Sequence, residues 1–144
     1  MNWTEAKWIV DQILQKVGQA PNNMREFTAF AKSANSIGLR FLEPADSYDS
    51  AGHLLCSVGG VMIRMSEEGY PASTTEGTLV LDNKDLGKYQ NEEYVVNNLT
   101  LGKTYYFSAF PYSVQGVYNL SSNENNRSSA APVDGETANV TPQH

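Results

Sequence analysis

The side chains best suited to chemistry in this sequence are tyrosines and an asparagine in two polar segments. Tyr48 lies in the Asp- and Ser-rich stretch 45–57, and Tyr112, Tyr118 and Asn119 lie near the other end of the chain. Aromatic rings can stack on the apolar face of a sugar, while amides and carboxylates hydrogen-bond its hydroxyls. These four residues predict a glycan-binding surface. The alternative is that the tyrosines only cover the ends of the fold.

Catalytic chemistry is hard to assemble from the remaining residues. The two histidines are His53, in the polar stretch, and His144, the last residue. Pairing His53 with Cys56 as base and nucleophile would need an orienting group and a cleft, and a spacing of three residues supplies neither. The motifs HExxH, GxSxG, the P-loop and paired CxxC do not occur. We therefore expect no enzyme, no catalytic residues and no cofactor.

A metal site is the third possibility, because oxygen ligands are concentrated in the same polar stretch. Asp46, Ser47 and Asp49 lie close together there, and calcium takes ligands of this kind. The alternating acids, central glycine and distal glutamate of an EF-hand loop are missing. We expect these carboxylates to be solvated in a loop, so we predict no metal site.

Composition limits the class of protein. A chain of 144 residues with 40% hydrophobic and 18% charged residues suits one globular domain. The net charge of -6 and the lack of a basic run argue against nucleic acid as a partner. The single cysteine, Cys56, excludes an intramolecular disulfide. No signal peptide is visible and no apolar run approaches the ~20 residues that span a bilayer, so we expect no membrane insertion.

Residues 1–20 predict an amphipathic helix for docking or oligomerisation. Asn2 can cap it, and Gly18 and Pro21 mark its end. The apolar residues follow the 3-4-3-4 spacing of a coiled-coil seam. They are Trp3, Ala6, Val10, Ile13 and Val17. Two readings stay open: the stripe packs on the neighbouring domain or on a preceding one, or it joins copies of the chain.

Short alternating segments separated by turn residues predict a β-sandwich of about seven strands over residues 24–133. The predicted strands are 27–31, 37–42, 58–66, 78–81, 94–96, 105–110 and one starting at 117–120. Residues 45–57 and 111–116 are predicted loops, 121–129 irregular, and 85–91 unassigned. Residues 134–144 form a C-terminal tail, with a weak edge strand at 137–140.

A tyrosine corner is predicted where the penultimate strand begins. Leu99 is followed by a glycine turn at Gly102 and by Tyr105, six residues after the leucine. In such a corner the tyrosine ring packs into a β-sandwich and its hydroxyl bonds to backbone upstream. Leu99 and Tyr105, with Phe41 in an earlier strand, are the residues predicted to hold the fold together.

Two motifs in this order resemble fibronectin type III domains. Leu39-Arg-Phe-Leu-Glu-Pro44 is similar to that family's second strand, with Phe41 where tryptophan is usual. Leu99-Thr-Leu-Gly-Lys-Thr-Tyr105 is similar to the family's corner, with Leu101 in the usual proline position. The resemblance spans roughly residues 24–133 and implies a fibronectin type III or immunoglobulin-like sandwich that follows one helix.

A narrower resemblance concerns the segments 60–71 and 76–80. Gly60-Val-Met-Ile-Arg-Met-Ser-Glu-Glu-Gly-Tyr-Pro71 and Glu76-Gly-Thr-Leu-Val80 are similar to a variant common in tail, tail-fibre and baseplate proteins of phages and prophages of gut bacteria. This resemblance implies a non-enzymatic spacer or host-surface binder in a virion tail or an extracellular appendage, made in the bacterial cytoplasm. Its partners would be other appendage subunits or a host glycan, and the chain could form a trimer. The alternative is an accessory carbohydrate-binding module that positions a separate hydrolase.

Overall fold

The computed structural model describes residues 19–134. The predicted helix residues, Trp3, Ala6, Val10, Ile13 and Val17, lie outside the described residues, as does the predicted edge strand at 137–140. Within the described residues, no helix is both long enough and apolar enough to cross a membrane.

The described chain forms a sandwich of two antiparallel sheets. One sheet has the order β1-β2-β7 and the other β6-β5-β8-β9, while β3 and β4 pair as a separate hairpin. The strands are β1 (Glu26–Ser33), β2 (Ser36–Leu42), β3 (Ser47–Tyr48), β4 (Leu54–Cys56), β5 (Val58–Ser66), β6 (Thr78–Asn83), β7 (Tyr94–Val96), β8 (Tyr105–Ser113) and β9 (Arg127–Ala130), with a short helix α1 (Lys88–Asn91) between β6 and β7.

Alternation along the strands places the core between the two sheets. In β2, Ile37, Leu39 and Phe41 are fully buried, while Arg40 between them is exposed. Facing them from the second sheet are Ile63 and Phe107, also fully buried. Because strand side chains alternate between faces, the apolar residues of each strand form one continuous layer. The core therefore lies between the inner faces of the two sheets.

The predicted bounds are confirmed for several strands and wrong for others. Residues 45–57 are not all loop, because β3 and β4 form a short hairpin there. Val117–Leu120 does not start the last strand, since only Tyr118 forms an isolated bridge. The last strand is β9, inside the stretch predicted to be irregular, and its register runs from Tyr105↔Ala130 to Ser108↔Arg127.

Pro111 lies inside β8 rather than in a loop after it. Its carbonyl accepts a hydrogen bond from the Asn119 amide at 2.8 Å, so its backbone polar groups point towards the returning chain. On the side of Pro111 away from the returning chain lies β5, in which Val61 is the partner of Pro111. Because the missing N–H of proline does not point at β5, the ladder between the two long strands is not interrupted.

A cluster of asparagines attaches the segment before β1 to the segment before β9. The buried Asn126 accepts a hydrogen bond from the Met24 amide at 2.8 Å and donates to Asn23 Oδ1 at 2.9 Å. Asn119 donates to the same Asn23 oxygen at 3.0 Å and to the Pro21 carbonyl at 2.9 Å. The entry of the chain into the sandwich is therefore fixed by side-chain amides.

Candidate functional site

A tight turn at the end of β8 brings two of the predicted binding tyrosines together. The Gly116 amide bonds the Ser113 carbonyl at 2.9 Å, and Gly116 has a φ of 88°, which glycine adopts without steric cost. The chain then returns so that Tyr112 and Tyr118 are partners in an antiparallel bridge. Their ring centroids lie 5.0 Å apart at an interplanar angle of 51°. The sequence predicted both residues for the site, and the structure places them in contact.

Tyr112 is held by an acceptor two strands away. Its hydroxyl donates to Asp82 Oδ1 at 2.5 Å. Between their strands lies β5, and Gly60 is the residue opposite Tyr112. A Cβ atom on Gly60 would lie 2.6 Å from the Tyr112 hydroxyl oxygen and 2.8 Å from Cζ. The ring can therefore cross the middle strand only because that position has no side chain.

An open cavity of about 460 Å³ lies beside this tyrosine pair. Its lining includes the rings of Tyr112 and Tyr118 and the charged residues Asp82 and Lys84. Gln115, in the turn after β8, adds an amide. The cavity is open to solvent, and polar and apolar groups share its lining. The lining therefore combines aromatic rings, an amide, a carboxylate and an ammonium group.

The two tyrosines differ in their access to this cavity. Tyr112 is only 7% exposed, whereas Tyr118 is half-buried. Burial, together with the hydrogen bond to Asp82, raises the pKa of Tyr112 well above its usual value. Burial and the negative charge of Asp82 also raise the pKa of Tyr118. Both hydroxyls therefore stay protonated at neutral pH. Tyr118 is the ring that a ligand can reach, and Tyr112 supports it from behind.

The segment that carries Asp82 and Lys84 is anchored from the opposite sheet. Glu43, 1% exposed, accepts a hydrogen bond from Asn83 Nδ2 at 2.6 Å and another from the Gly87 amide at 2.9 Å. The Asn83 side chain thus points inward, to the end of β2. Its neighbours on either side, Asp82 and Lys84, both reach the cavity.

The other two predicted binding residues lie elsewhere. Tyr48 is 59% exposed on the β3–β4 hairpin and is not among the residues that line the cavity. Asn119 is close in sequence to Tyr118, but its amide nitrogen is engaged by Pro21 and Asn23. Its oxygen accepts the Ser121 amide at 2.8 Å. The described hydrogen bonds give Asn119 a structural role.

Sequence reasoning missed Asp82, Lys84 and Gln115. Asp82 follows an apolar strand and reads as a turn residue, and its contact with Tyr112 depends on a strand that lies between them. The one local signal was the pair Gly59-Gly60 inside an otherwise alternating strand. An isolated glycine in a strand often marks the close approach of another group.

The histidine and cysteine of the β3–β4 region are not arranged as a catalytic pair. His53 Nδ1 lies 3.1 Å from Asp49 Oδ2, on the surface, and the backbone hydrogen bond from His53 lowers the pKa of Asp49. Cys56 is buried, and its burial and the charge of Asp46 raise the pKa of its thiol, which disfavours the thiolate. Within residues 19–134, no group of three or more His, Cys, Asp or Glu side chains is placed to hold a metal ion.

Comparison with known proteins identifies the fold. The sixth fibronectin type III domain of human fibronectin type III domain containing protein 3 matches 81% of this chain and 91% of its own, with a TM-score of 0.51 and 13% identity. A fibronectin type III domain from the human KIAA0970 protein matches 99% of this chain and 90% of its own, with a TM-score of 0.51 and 12% identity. No family model matches the sequence, and no curated protein sequence matches it.

These matches define the class of protein. The described chain is mainly β and has a fibronectin type III-like sandwich fold, with nine strands among residues 19–134. Identities of 12% and 13% relate the folds alone. Any ligand has to be argued from this chain's own residues.

Proposed function

We propose that this protein is a non-enzymatic structural and adhesion module of a phage tail or a similar surface appendage, and that it binds a host-surface glycan. The observation that carries the binding role is the cavity beside Tyr118, which combines an accessible ring with Asp82, Lys84 and Gln115. The tail context is supported by the resemblance of residues 60–71 and 76–80 to phage tail and baseplate modules. The fold's general role as a structural or binding module agrees with this reading.

The sandwich is suited to hold such a site at a fixed position. The Tyr112 hydroxyl and the Gly60 gap fix the position of the Tyr112 ring, and the Glu43 anchor fixes the segment that carries Asp82 and Lys84. The asparagine cluster fixes the segment that enters β1. A binding surface that is already ordered loses less conformational entropy when a ligand binds. The same rigidity would serve a spacer between neighbouring subunits.

Assembly is assigned in this proposal to the N-terminal stripe of Trp3, Ala6, Val10, Ile13 and Val17. Joining three copies would present three weak sugar sites to one cell surface. Linked sites gain affinity through effective concentration without any new contact, which suits an adhesin.

Light scattering on the full chain tests this assembly. The double variant Val10→Asp plus Ile13→Asp should lower the solution mass to that of a monomer, because buried carboxylates destabilise an apolar seam. Gln12→Asp plus Gln15→Asp, on the opposite side of the same predicted helical pattern, adds the same two charges as a matched control and should leave the mass unchanged. An unchanged mass for the first variant would remove the oligomerisation claim.

The second candidate is an accessory carbohydrate-binding module attached to a hydrolase. The same cavity favours it, since Tyr118 and its polar neighbours would serve either protein. The two candidates differ in mass and target. A virion module should form an oligomer and bind purified host cell surface, whereas an accessory module should be monomeric and bind soluble polysaccharide.

A further inference from the structure

The cavity beside Tyr118 contains one negative and one positive side chain on the same short segment. Asp82 and Lys84 both line it, and Asn83 between them points inward to Glu43. With a rise of about 3.3 Å per residue in extended chain, two positions along the segment separate their Cα atoms by on the order of 7 Å. Because both side chains also line the same cavity, one sugar ring bound there can meet both of them.

Both charged groups have hydrogen-bonding capacity left. Asp82 uses Oδ1 for the Tyr112 hydroxyl, and within the described residues its Oδ2 accepts no hydrogen bond. Lys84 is exposed and forms no ion pair within residues 19–134. A carboxylate oxygen can accept from a sugar hydroxyl, while an ammonium group can donate to the next hydroxyl oxygen. Hydrogen bonds of this charge-assisted kind are roughly twice as strong as neutral ones.

We propose, on the basis of the glycan-binding function above, that the cavity takes a neutral sugar that presents two adjacent hydroxyls to Asp82 and Lys84, with its ring against Tyr118. The negative charge of Asp82 and the positive charge of Lys84 offset each other. A neutral sugar therefore brings no charge that either side chain would repel.

An acidic sugar fits this arrangement less well. A carboxylate that paired with Lys84 would share the cavity with the Asp82 carboxylate, and two like charges repel. The net charge of the chain, -6, adds a repulsive field for an acidic polymer approaching from solution. A neutral polymer experiences neither penalty. The specificity therefore rests on Asp82 as a repulsive element as much as on Lys84 as an attractive one.

NMR titration of the ¹⁵N-labelled full chain tests this inference with paired probes. The neutral probes are oligosaccharides of glucose, galactose and mannose, and the acidic probes are the corresponding glucuronate, galacturonate and mannuronate oligosaccharides. We expect at least one neutral probe to shift the amide signals around Lys84 and Tyr118. Its acidic counterpart should bind at least tenfold more weakly.

Variants of Asp82 and Lys84 test whether these two charges cause the preference for neutral over acidic sugars. Asp82→Asn keeps an oxygen for the Tyr112 hydroxyl and removes the negative charge, so it should raise affinity for the acidic probe at least threefold. Lys84→Ala should weaken binding of the neutral probe about tenfold. Lys88 lies outside the cavity, so Lys88→Gln should leave the affinity unchanged. Equal or tighter binding of acidic probes at the cavity would overturn the neutral-sugar inference and leave the glycan function standing. No cavity shift with any probe would overturn both.

Discussion

The hydroxyl of Tyr105 accepts a hydrogen bond from the backbone N–H of Thr100 at 2.8 Å. The residues between them turn at Gly102, whose φ is 78°, and the Tyr105 ring is buried at the start of β8. Leu99, just before Thr100, packs against the core. This contact joins the chain before β8 to the strand itself, and it has the geometry of a tyrosine corner.

The corner predicts a loss of stability when the Tyr105 hydroxyl is removed. Tyr105→Phe leaves the Thr100 N–H without its acceptor, at a cost of about 1–3 kcal/mol for a part-buried donor. Urea unfolding at neutral pH measures the change. Tyr106→Phe is the matched control, because the next residue along β8 points to the other face. Equal stability of Tyr105→Phe and the unmutated protein would contradict the role given to this bond.

A larger loss is expected from the buried carboxylate that anchors the end of β6. Glu43→Ala removes the acceptor of both Asn83 Nδ2 and the Gly87 amide and leaves space in the interior. The expected cost is about 3 kcal/mol. Thermal unfolding followed by circular dichroism gives the comparison, with the exposed Glu26→Ala at the start of β1 as control. A fall no larger than that of the control would mean that Glu43 anchors nothing.

The asparagine cluster predicts that the start of the sandwich loosens when one amide is removed. Asn126→Ala leaves the Met24 N–H buried without a partner and removes one of the two donors to Asn23 Oδ1. We expect a loss of roughly 1–3 kcal/mol and faster amide hydrogen exchange at Met24. The exposed neighbour Asn125→Ala should do neither. Unchanged exchange at Met24 would show that the N–H does not depend on Asn126.

Alkaline titration reports on the Tyr112–Asp82 bond. The folded protein raises the pKa of Tyr112, while an unfolded tyrosine ionises near about 10. The stabilisation is thus complete below about pH 10 and is lost as the pH rises towards the raised folded value. Tyr112→Phe lacks this loss. Above pH 10, the unfolding free energy of Tyr112→Phe should therefore fall less steeply with pH than that of the unmutated protein. The two slopes should differ by up to about 1.4 kcal/mol per pH unit. Curves that stay parallel from pH 8 to pH 11, with Tyr48→Phe as control, would contradict the assignment.

Much of the sandwich could be predicted because long strands alternate clearly. Val58–Ser66 was predicted with the observed bounds, and Phe41, predicted to help hold the fold together, is fully buried. The alternation in these strands follows directly from a face that must be buried, so local sequence is enough.

The short elements could not be predicted because local sequence carries too little information there. Strand β9 contains Arg127-Ser-Ser-Ala130, which has no apolar alternation. It is held instead by its ladder to β8 and by the Ser128 hydroxyl, which accepts a hydrogen bond from the Ala29 amide at 2.9 Å. Both partners are distant in sequence, so the strand exists only in the folded context.

The candidate site was predicted only in part for the same reason. Tyr112 and Tyr118 are six residues apart and their contact follows from a tight turn, which a sequence can indicate. Asp82 is thirty residues before Tyr112, and their hydrogen bond requires the order β6-β5-β8 and a glycine in the middle strand. Partners across a sheet are set by topology, and topology was not visible in residue spacing.

The central claim is that Tyr118 forms the platform of a glycan site. Its most direct test is binding of purified host cell-surface polysaccharide to the full chain, measured by calorimetry for the unmutated protein, Tyr118→Ala and Tyr48→Ala. Tyr118 lines the cavity, whereas Tyr48 is an equally aromatic but exposed residue outside it. We expect Tyr118→Ala to weaken binding at least tenfold, as the loss of ring stacking and buried area requires, and Tyr48→Ala to bind as the unmutated protein does. Unchanged binding by Tyr118→Ala, or loss of binding in Tyr48→Ala alone, would contradict the account.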